Sequence, residues 1–177
     1  LVGMAHRIVW VEQEKEVGDA MVDAYVRQRV ERNRSGEGGD CLMMAYLNKD
    51  VALLNSLARE KLVKAGLVER GQKVGDRLLG VGDAVVFLKK EKTLGVVRGT
   101  RAVITGITGE SIRFCTSEGV EGVWDKRVEV AWNYGYALTL HKAQGVTVSK
   151  AWVHGGAVRA GMAALYVALS RHKDGVE

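Results

Sequence analysis

Apolar residues along the chain recur first at helical spacing and then in short continuous runs. Helical spacing between residues 17 and 32 predicts a helix with an apolar stripe of Val22, Tyr25, Val26 and Val30, and Met21 lies beside this stripe. The continuous apolar run at 41–47 predicts a strand covered on both faces, as in a parallel sheet. Helical spacing then returns, with Asp50 as the predicted N-cap, Gly66 as the predicted C-cap, and a stripe of Val51, Leu54, Ala58, Leu62 and Ala65.

The middle of the chain has a different pattern of residues, one that is typical of short β-strands. Short β-rich segments separated by glycine-containing turns predict strands at 83–88, 102–107, 111–116 and 120–124. Such lengths and turns are typical of a small antiparallel barrel. An α/β pattern resumes with predicted strands at 136–140 and 151–154 and a predicted helix at 161–169. The sequence therefore predicts an α/β domain interrupted by a β module of roughly 50 residues.

Composition and charge narrow the class of protein only slightly. Hydrophobic residues make up 47% and charged residues 27% of the chain, as in an ordinary globular domain. No apolar stretch approaches the roughly 18–20 residues that span a bilayer, so we expect no membrane and a cytoplasmic location. The net charge of +5 suits a polyanionic partner but is weak evidence for one. Cys41 and Cys115 have no metal-ligand or disulfide spacing, and no metal site is predicted.

A polar cluster follows the strand predicted at 136–140, and ligands of open α/β sheets bind at the carboxyl ends of strands. The side chains that could donate to phosphate oxygens are Thr139, His141, Lys142 and Thr147. Gly145 would let the backbone approach a ligand closely. Arg171, just after the last predicted helix, could bind a phosphate. A solvated turn and a surface arginine explain the same residues equally well.

Two segments resemble helicase motifs. Residues 137–145 (ALTLHKAQG) resemble motif V, and residues 166–171 (YVALSR) resemble motif VI, of RecD-like superfamily 1 DNA helicases. Residues 51–59 (VALLNSLAR) resemble a helix of conjugative relaxase–helicases of the TraA/TraI type. Residues 81–87 (VGDAVVF) and 94–100 (LGVVRGT) resemble segments that open an SH3-like barrel in that family. The resemblance covers roughly residues 42–176.

This resemblance implies a fold and a set of roles. It implies a second RecA-like domain of the P-loop NTPase type, in two parts at 1–78 and 131–177, with an inserted SH3-like β-barrel at 79–130. It implies that Arg171 is an arginine finger, that Gln144 and Gly145 take part in nucleotide binding, and that single-stranded DNA is the partner. The implied DNA contacts are Thr139, His141, Lys142 and Thr147.

The chain has no Gly-x-x-x-x-Gly-Lys-(Ser/Thr) loop and no acidic magnesium-binding strand motif. We therefore expect ATP and Mg²⁺ to be bound mainly by a first RecA-like domain preceding Leu1, and this chain alone to lack ATPase activity. That first domain and the conjugation machinery are the further partners that the resemblance implies. The alternatives are a RecD-like repair or recombination helicase and a catalytically silent module for DNA binding or protein docking.

Several residues keep more than one interpretation. Asn55 and Arg59 lie one helical turn apart, and they could serve nucleotide, DNA or packing alone. Core packing is favoured over base stacking for Trp124 and Trp132. The positive charges of Lys89, Lys90 and Lys92 are expected to form a solvated face, with a DNA-facing role as the alternative.

Overall fold

A computed structural model describes residues 14–36 and 40–154, with side chains from residue 17 onward. Within these ranges the helices are α1 (Glu14–Ser35), α2 (Asn48–Lys64) and a single 3₁₀ turn at Lys92–Leu94. The first five strands are β1 (Cys41–Ala45), β2 (Gln72–Val74), β3 (Arg77–Leu79), β4 (Ala84–Phe87) and β5 (Arg101–Ile107). The others are β6 (Ser111–Thr116), β7 (Glu121–Asp125), β8 (Trp132–Tyr134), β9 (Ala137–Thr139) and β10 (Lys150–Val153).

The chain divides into two compact units, one of Leu1–Lys61 with Tyr136–Glu177 and one of Leu62–Gly135. In the first unit, three strands form a parallel sheet in the order β10-β1-β9. All five residues of β1 are buried, which confirms the prediction of a strand covered on both faces. The strand ends at Ala45, two residues before the predicted end, because the chain bends at Tyr46 and Leu47 and exposes both side chains.

The two helices of the first unit follow their apolar stripes. In α1, Met21, Val22 and Tyr25 are buried, while Val26 and Val30 are half-buried. An ion-pair cluster joins the helices, since Lys61 of α2 lies 3.2 Å from an Asp19 carboxylate oxygen and 2.7 Å from one of Asp23. These groups are partly exposed, so each pair contributes at most about 1 kcal/mol.

The ends of α2 test both predicted caps. The helix begins at Asn48, so Asp50 lies in its first turn instead of capping it, where a carboxylate favours the helix dipole. Gly66 ends the helix as predicted, with a left-handed φ of +72°. Its N–H donates to the Val63 carbonyl oxygen at 3.1 Å, and that of Leu67 donates to the Leu62 carbonyl oxygen at 3.0 Å. This double hydrogen bond is a Schellman motif.

The second unit contains a five-stranded antiparallel sheet in the order β7-β6-β5-β4-β8. The register shifts between Ile104 and Gly106 of β5, a bulge that bends the strand. Its core includes a tilted pair of rings, Phe87 and Phe114, with centroids 5.2 Å apart. Among the described residues no ladder joins the edge strands β7 and β8, so the sheet is open and a closed barrel is not seen.

Three short strands of this unit escaped prediction: β2 and β3, which form a hairpin, and β8. Each has only three residues, too few to show alternation. The packing interpretation of Trp124 and Trp132 is confirmed, since both are buried and their rings meet edge to face at 6.3 Å. Within the described residues, neither Cys41 nor Cys115 forms a disulfide bond. None of the helices that the structure describes is long and apolar enough to cross a bilayer.

Candidate functional site at the carboxyl edge of the parallel sheet

Three strand ends meet at one edge of the parallel sheet. β1, β9 and β10 run in the same direction, so the residues that follow them lie at the same edge. These residues are Tyr46 after β1, the segment 140–147 after β9, and His154 after β10. Ligands of open α/β sheets bind at this edge, so it is the candidate site.

The segment after β9 folds into a compact turn held by Thr139. The Thr139 carbonyl oxygen accepts a hydrogen bond from the Ala143 N–H at 2.9 Å. Its hydroxyl oxygen accepts one from the Lys142 N–H at 3.3 Å. A third, longer bond runs from the Gln144 N–H to the His141 carbonyl oxygen at 3.4 Å. The turn is thus fixed by backbone groups and one hydroxyl, and the long side chains remain available.

Gly145 completes the turn in a left-handed conformation, with φ of +85°. No atom lies within 4 Å of the point where a side chain would begin, so the glycine is required by backbone conformation and leaves open space. The Val146 N–H then donates to the Ala143 carbonyl oxygen at 3.1 Å. We call residues 139–146 the strand-end turn.

The predicted site residues differ in exposure. The side chains of His141, Lys142, Gln144 and Thr147 are exposed. Thr139 is buried, and its hydroxyl oxygen accepts the Lys142 N–H within the turn. Arg171 and the helix predicted at 161–169 lie outside the described residues.

Sequence reasoning missed Tyr46 as a member of the site. Its ring lies against the ring of His141, with centroids 6.0 Å apart and planes inclined by 48°. The predicted strand had placed Tyr46 inside the sheet, whereas the strand ends one residue earlier. The two exposed rings therefore form a small aromatic surface beside the strand-end turn.

A second pair of polar side chains lies at the same edge. His154 is buried, and its Nδ1 atom is 3.9 Å from a carboxylate oxygen of Asp50, beyond hydrogen-bond distance. Among the described residues Nδ1 has no hydrogen-bond partner. The His154 N–H donates to the Met44 carbonyl oxygen at 2.8 Å, which places the side chain just past the end of β10.

Asn55 is the buried polar residue of α2, 3% exposed. Its side-chain oxygen accepts from the Ala137 N–H at 2.8 Å, and its side-chain nitrogen donates to the Ala137 carbonyl oxygen at 3.2 Å. The signal for this role was an amide among the buried stripe residues Leu54 and Ala58, which demands hydrogen-bond partners. Arg59, one turn further along α2, is half-buried.

Cys41 is the first residue of β1 and lies at the opposite end of that strand from this edge. Burial raises the pKa of the Cys41 thiol above its ordinary value, which makes it a poor nucleophile. In residues 14–36 and 40–154 no three His, Cys, Asp or Glu side chains are grouped so as to hold a metal ion. The exposed side chains of the site carry a cation, an imidazole, an amide, a hydroxyl and, on Tyr46, a phenol, which suit an anionic ligand with oxygen acceptors.

Comparison with known proteins identifies the relatives of this chain. No family model matches it. It is 34% identical over 143 residues to the conjugal transfer protein TraA of Rhizobium radiobacter. It is 36% identical over 141 residues to the probable conjugal transfer protein TraA of Sinorhizobium fredii. The chain is homologous to a segment of TraA.

The TraA matches cover 77% and 75% of the chain but only 13% of each relative's length. This relationship confirms the resemblance to TraA-type proteins that the motifs indicated. The chain thus spans about an eighth of the length of the TraA proteins that it matches.

Solved structures agree on the fold of the TraA-related chain. The structure of Bacteroides Pif1 bound to ssDNA has a TM-score of 0.54 and 19% identity, covering 77% of this chain and 40% of Pif1. Bacteroides Pif1 helicase in complex with ADP-AlF3 and ssDNA gives 0.53 and 17%, covering 96% of this chain and 50% of Pif1. At such identities the likeness shows the fold alone, and that fold fits a RecA-like domain.

Proposed function

We propose that this chain is the single-strand-tracking half of an ATP-dependent DNA helicase that acts in conjugative DNA transfer. The observation that carries the proposal is the strand-end turn, a hydrogen-bonded loop at the carboxyl edge of the parallel sheet that exposes Lys142 and His141. The homology to the conjugal transfer protein TraA and the likeness to Pif1 bound to ssDNA support it.

In this proposal the exposed side chains of the edge contact the sugar–phosphate backbone. Lys142 supplies a positive charge, and His141 and Thr147 supply donors, to successive phosphate oxygens. Thr139 contributes by holding the turn, through its hydroxyl and carbonyl oxygens. Backbone contacts carry no base preference, which suits a translocating motor that must move along any sequence.

Nucleotide contacts are proposed for Gln144, Gly145 and Arg171. The exposed amide of Gln144 and the open space beside Gly145 fit the approach of a phosphate-bearing ligand. Arg171 is proposed as the arginine finger, since a positioned guanidinium stabilises the charge that develops in phosphoryl transfer. Mg²⁺ and most of the ATP contacts are assigned to a first RecA-like domain elsewhere in the intact protein, because this sequence has no Gly-x-x-x-x-Gly-Lys-(Ser/Thr) loop.

We further propose that residues 79–130, within the second unit, are an SH3-like insert in the RecA-like domain, and that β8 (Trp132–Tyr134) directly follows it. The strand order of the second unit supports this, because the meander β4-β5-β6-β7 is completed by β8 returning to pair with β4. The bulge in β5 provides the bend that a barrel of five strands needs.

The experiment is a fluorescence-anisotropy titration of the 177-residue chain with single-stranded and double-stranded DNA over a salt series. We expect the single strand to bind more tightly, and its affinity to fall steeply as salt rises. Equal affinity for both forms, or no binding at low salt, would contradict the tracking role. ATP turnover is measured in parallel, and we expect none without the first RecA-like domain.

A further inference from the structure

Strand β9 has one edge that no other strand covers among the described residues. The other edge of β9 pairs with β1. On that side the Tyr136 carbonyl oxygen accepts from the Met43 N–H at 3.0 Å, and the Leu140 N–H donates to the Ala45 carbonyl oxygen. Since successive residues of a strand direct their backbone groups to opposite sides, the N–H and C=O of Ala137 point away from β1. Ala137 is fully buried, so these two groups cannot be satisfied by bulk water.

Asn55 satisfies both of these groups with a single side chain. Its carboxamide accepts from the Ala137 N–H at 2.8 Å and donates to the Ala137 carbonyl oxygen at 3.2 Å. This is the pattern that one residue of a neighbouring strand would provide. The side chain of α2 therefore replaces a strand at this edge and fixes β9 to the helix at one register.

Two residues further along β9, the outward carbonyl oxygen of Thr139 accepts from the Ala143 N–H, which closes the strand-end turn. The two residues of β9 that face away from β1 thus make different contacts. Ala137 is hydrogen-bonded to Asn55, and Thr139 begins the strand-end turn. Since Thr139 follows Ala137 by two residues, a displacement of Ala137 would shift the strand end that His141 and Lys142 follow.

We propose that Asn55 is a positioning residue for DNA binding, which sets the strand-end turn through Ala137 without touching the ligand. This inference rests on the proposed function for the identity of the ligand. The positioning itself rests on the two hydrogen bonds and the burial of Asn55.

The contact with the backbone of Ala137 needs a side chain of the length of asparagine that carries one hydrogen-bond donor and one acceptor. Leucine has the shape of asparagine but would leave both groups of Ala137 unsatisfied. An ionised aspartate would accept from the N–H but place a negative oxygen against the carbonyl oxygen. A protonated aspartic acid, in contrast, again has one donor and one acceptor.

The test is therefore the Asn55→Asp variant of the full chain, measured over a pH series. At about pH 8 we expect binding of a fluorescein-labelled oligothymidylate to be weaker than that of the wild type by about five- to tenfold, the scale of one lost hydrogen bond. Burial beside a carbonyl oxygen raises the pKa of the introduced carboxyl, so affinity should return toward the wild-type value as the pH falls toward about 5. Each value is divided by the wild-type value at the same pH, which cancels protonation elsewhere.

The control is Leu54→Ala, on the neighbouring position of α2. Leu54 is 1% exposed and takes no part in the two hydrogen bonds of Asn55. We therefore expect its truncation to destabilise the fold and to leave both hydrogen bonds in place. All variants are assayed at a temperature where circular dichroism shows them folded. We expect Leu54→Ala to bind oligothymidylate like the wild type, without the pH-dependent recovery.

A second measurement follows the turn without DNA, by amide hydrogen exchange at Ala143. Its exchange, relative to the wild type at the same pH, should accelerate in Asn55→Asp at about pH 8 and recover at about pH 5. If Asn55→Asp does not fold, Asn55→Ser is compared with the wild type by the same exchange experiment. Here the Ala143 amide should again exchange faster.

The outcomes separate the two proposals. Failure of the wild type to bind oligothymidylate would contradict the proposed function, while the Ala143 exchange would still decide the positioning role. If the Asn55 variant bound oligothymidylate as tightly as the wild type does, and if hydrogen exchange at its Ala143 amide were unchanged, the positioning role would be overturned. An equal loss of affinity in Leu54→Ala would also overturn it, because the effect would then follow stability alone.

Discussion

Truncation of Lys142 to alanine isolates the electrostatic part of the proposed DNA contact. The Lys142 backbone N–H forms the hydrogen bond to Thr139, and the side chain is exposed. Removing the side chain therefore leaves every described hydrogen bond of the strand-end turn in place. We expect no measurable change in the thermal unfolding midpoint.

The magnitude follows from counterion release. Each phosphate neutralised on a single strand adds about 0.7 to the slope of log K against log salt, so Lys142→Ala should lower the slope by about that amount. At about 0.1 M salt the same relation gives an affinity loss of about fivefold, and the loss should shrink as salt increases. The assay is anisotropy titration with oligothymidylate at several salt concentrations.

The matched control is Arg27→Ala, which removes one exposed positive charge from α1. It changes the net charge equally and should leave the slope nearly unaltered. An unchanged slope in Lys142→Ala would refute the phosphate contact. A slope reduced equally in both variants would show that only the overall charge of the chain matters.

Three further predictions follow from the sequence and structure. In the intact protein, Arg171→Ala should abolish DNA-stimulated ATP turnover and leave DNA binding nearly unchanged, and normal turnover would contradict the arginine-finger assignment. Hydrogen bonds from Arg127 lower the pKa of Asp125 from 3.8 to about 2. Any stability that this pair contributes is therefore present above pH 3.8 and is lost as the pH falls toward 2. An NMR titration of Asp125 should show the low midpoint, and the variant Arg127→Gln should raise that midpoint. Gly122→Ala should destabilise the second unit by about 1–3 kcal/mol in urea unfolding, because the added methyl would lie 2.3 Å from the buried Phe114 ring; an unchanged midpoint would show that this ring can move.

Sequence patterns predicted the elements whose burial is periodic. Residue type and spacing were enough to predict the buried stripe of α2 and the apolar run of β1. The observed ends of both elements lie within two residues of the predicted ends. Motif resemblance located the strand-end turn, which periodicity alone describes only as a polar loop. The turn's hydrogen bonds then assigned Thr139 a structural role that its residue type did not reveal.

Features that depend on register were beyond the reach of patterns. The role of Asn55 requires knowing which backbone groups of Ala137 face away from β1, and this follows only from the pairing of β9 with β1. The aromatic contact of Tyr46 with His141 depends on where β1 stops. The short β-rich segments predicted a barrel, but closure depends on the edge strands β7 and β8, whose composition does not specify a partner.

The order of strands along the chain has a consequence for folding kinetics. β1 pairs with β9 and β10, and the whole second unit lies between them in the sequence. The parallel sheet is therefore built from distant contacts, which are slow to form because a long loop must close first. The second unit has mostly sequential strands joined by short turns, so it can fold early and shorten that loop. A destabilised second unit should accordingly slow formation of the parallel sheet, although every strand of that sheet retains its sequence.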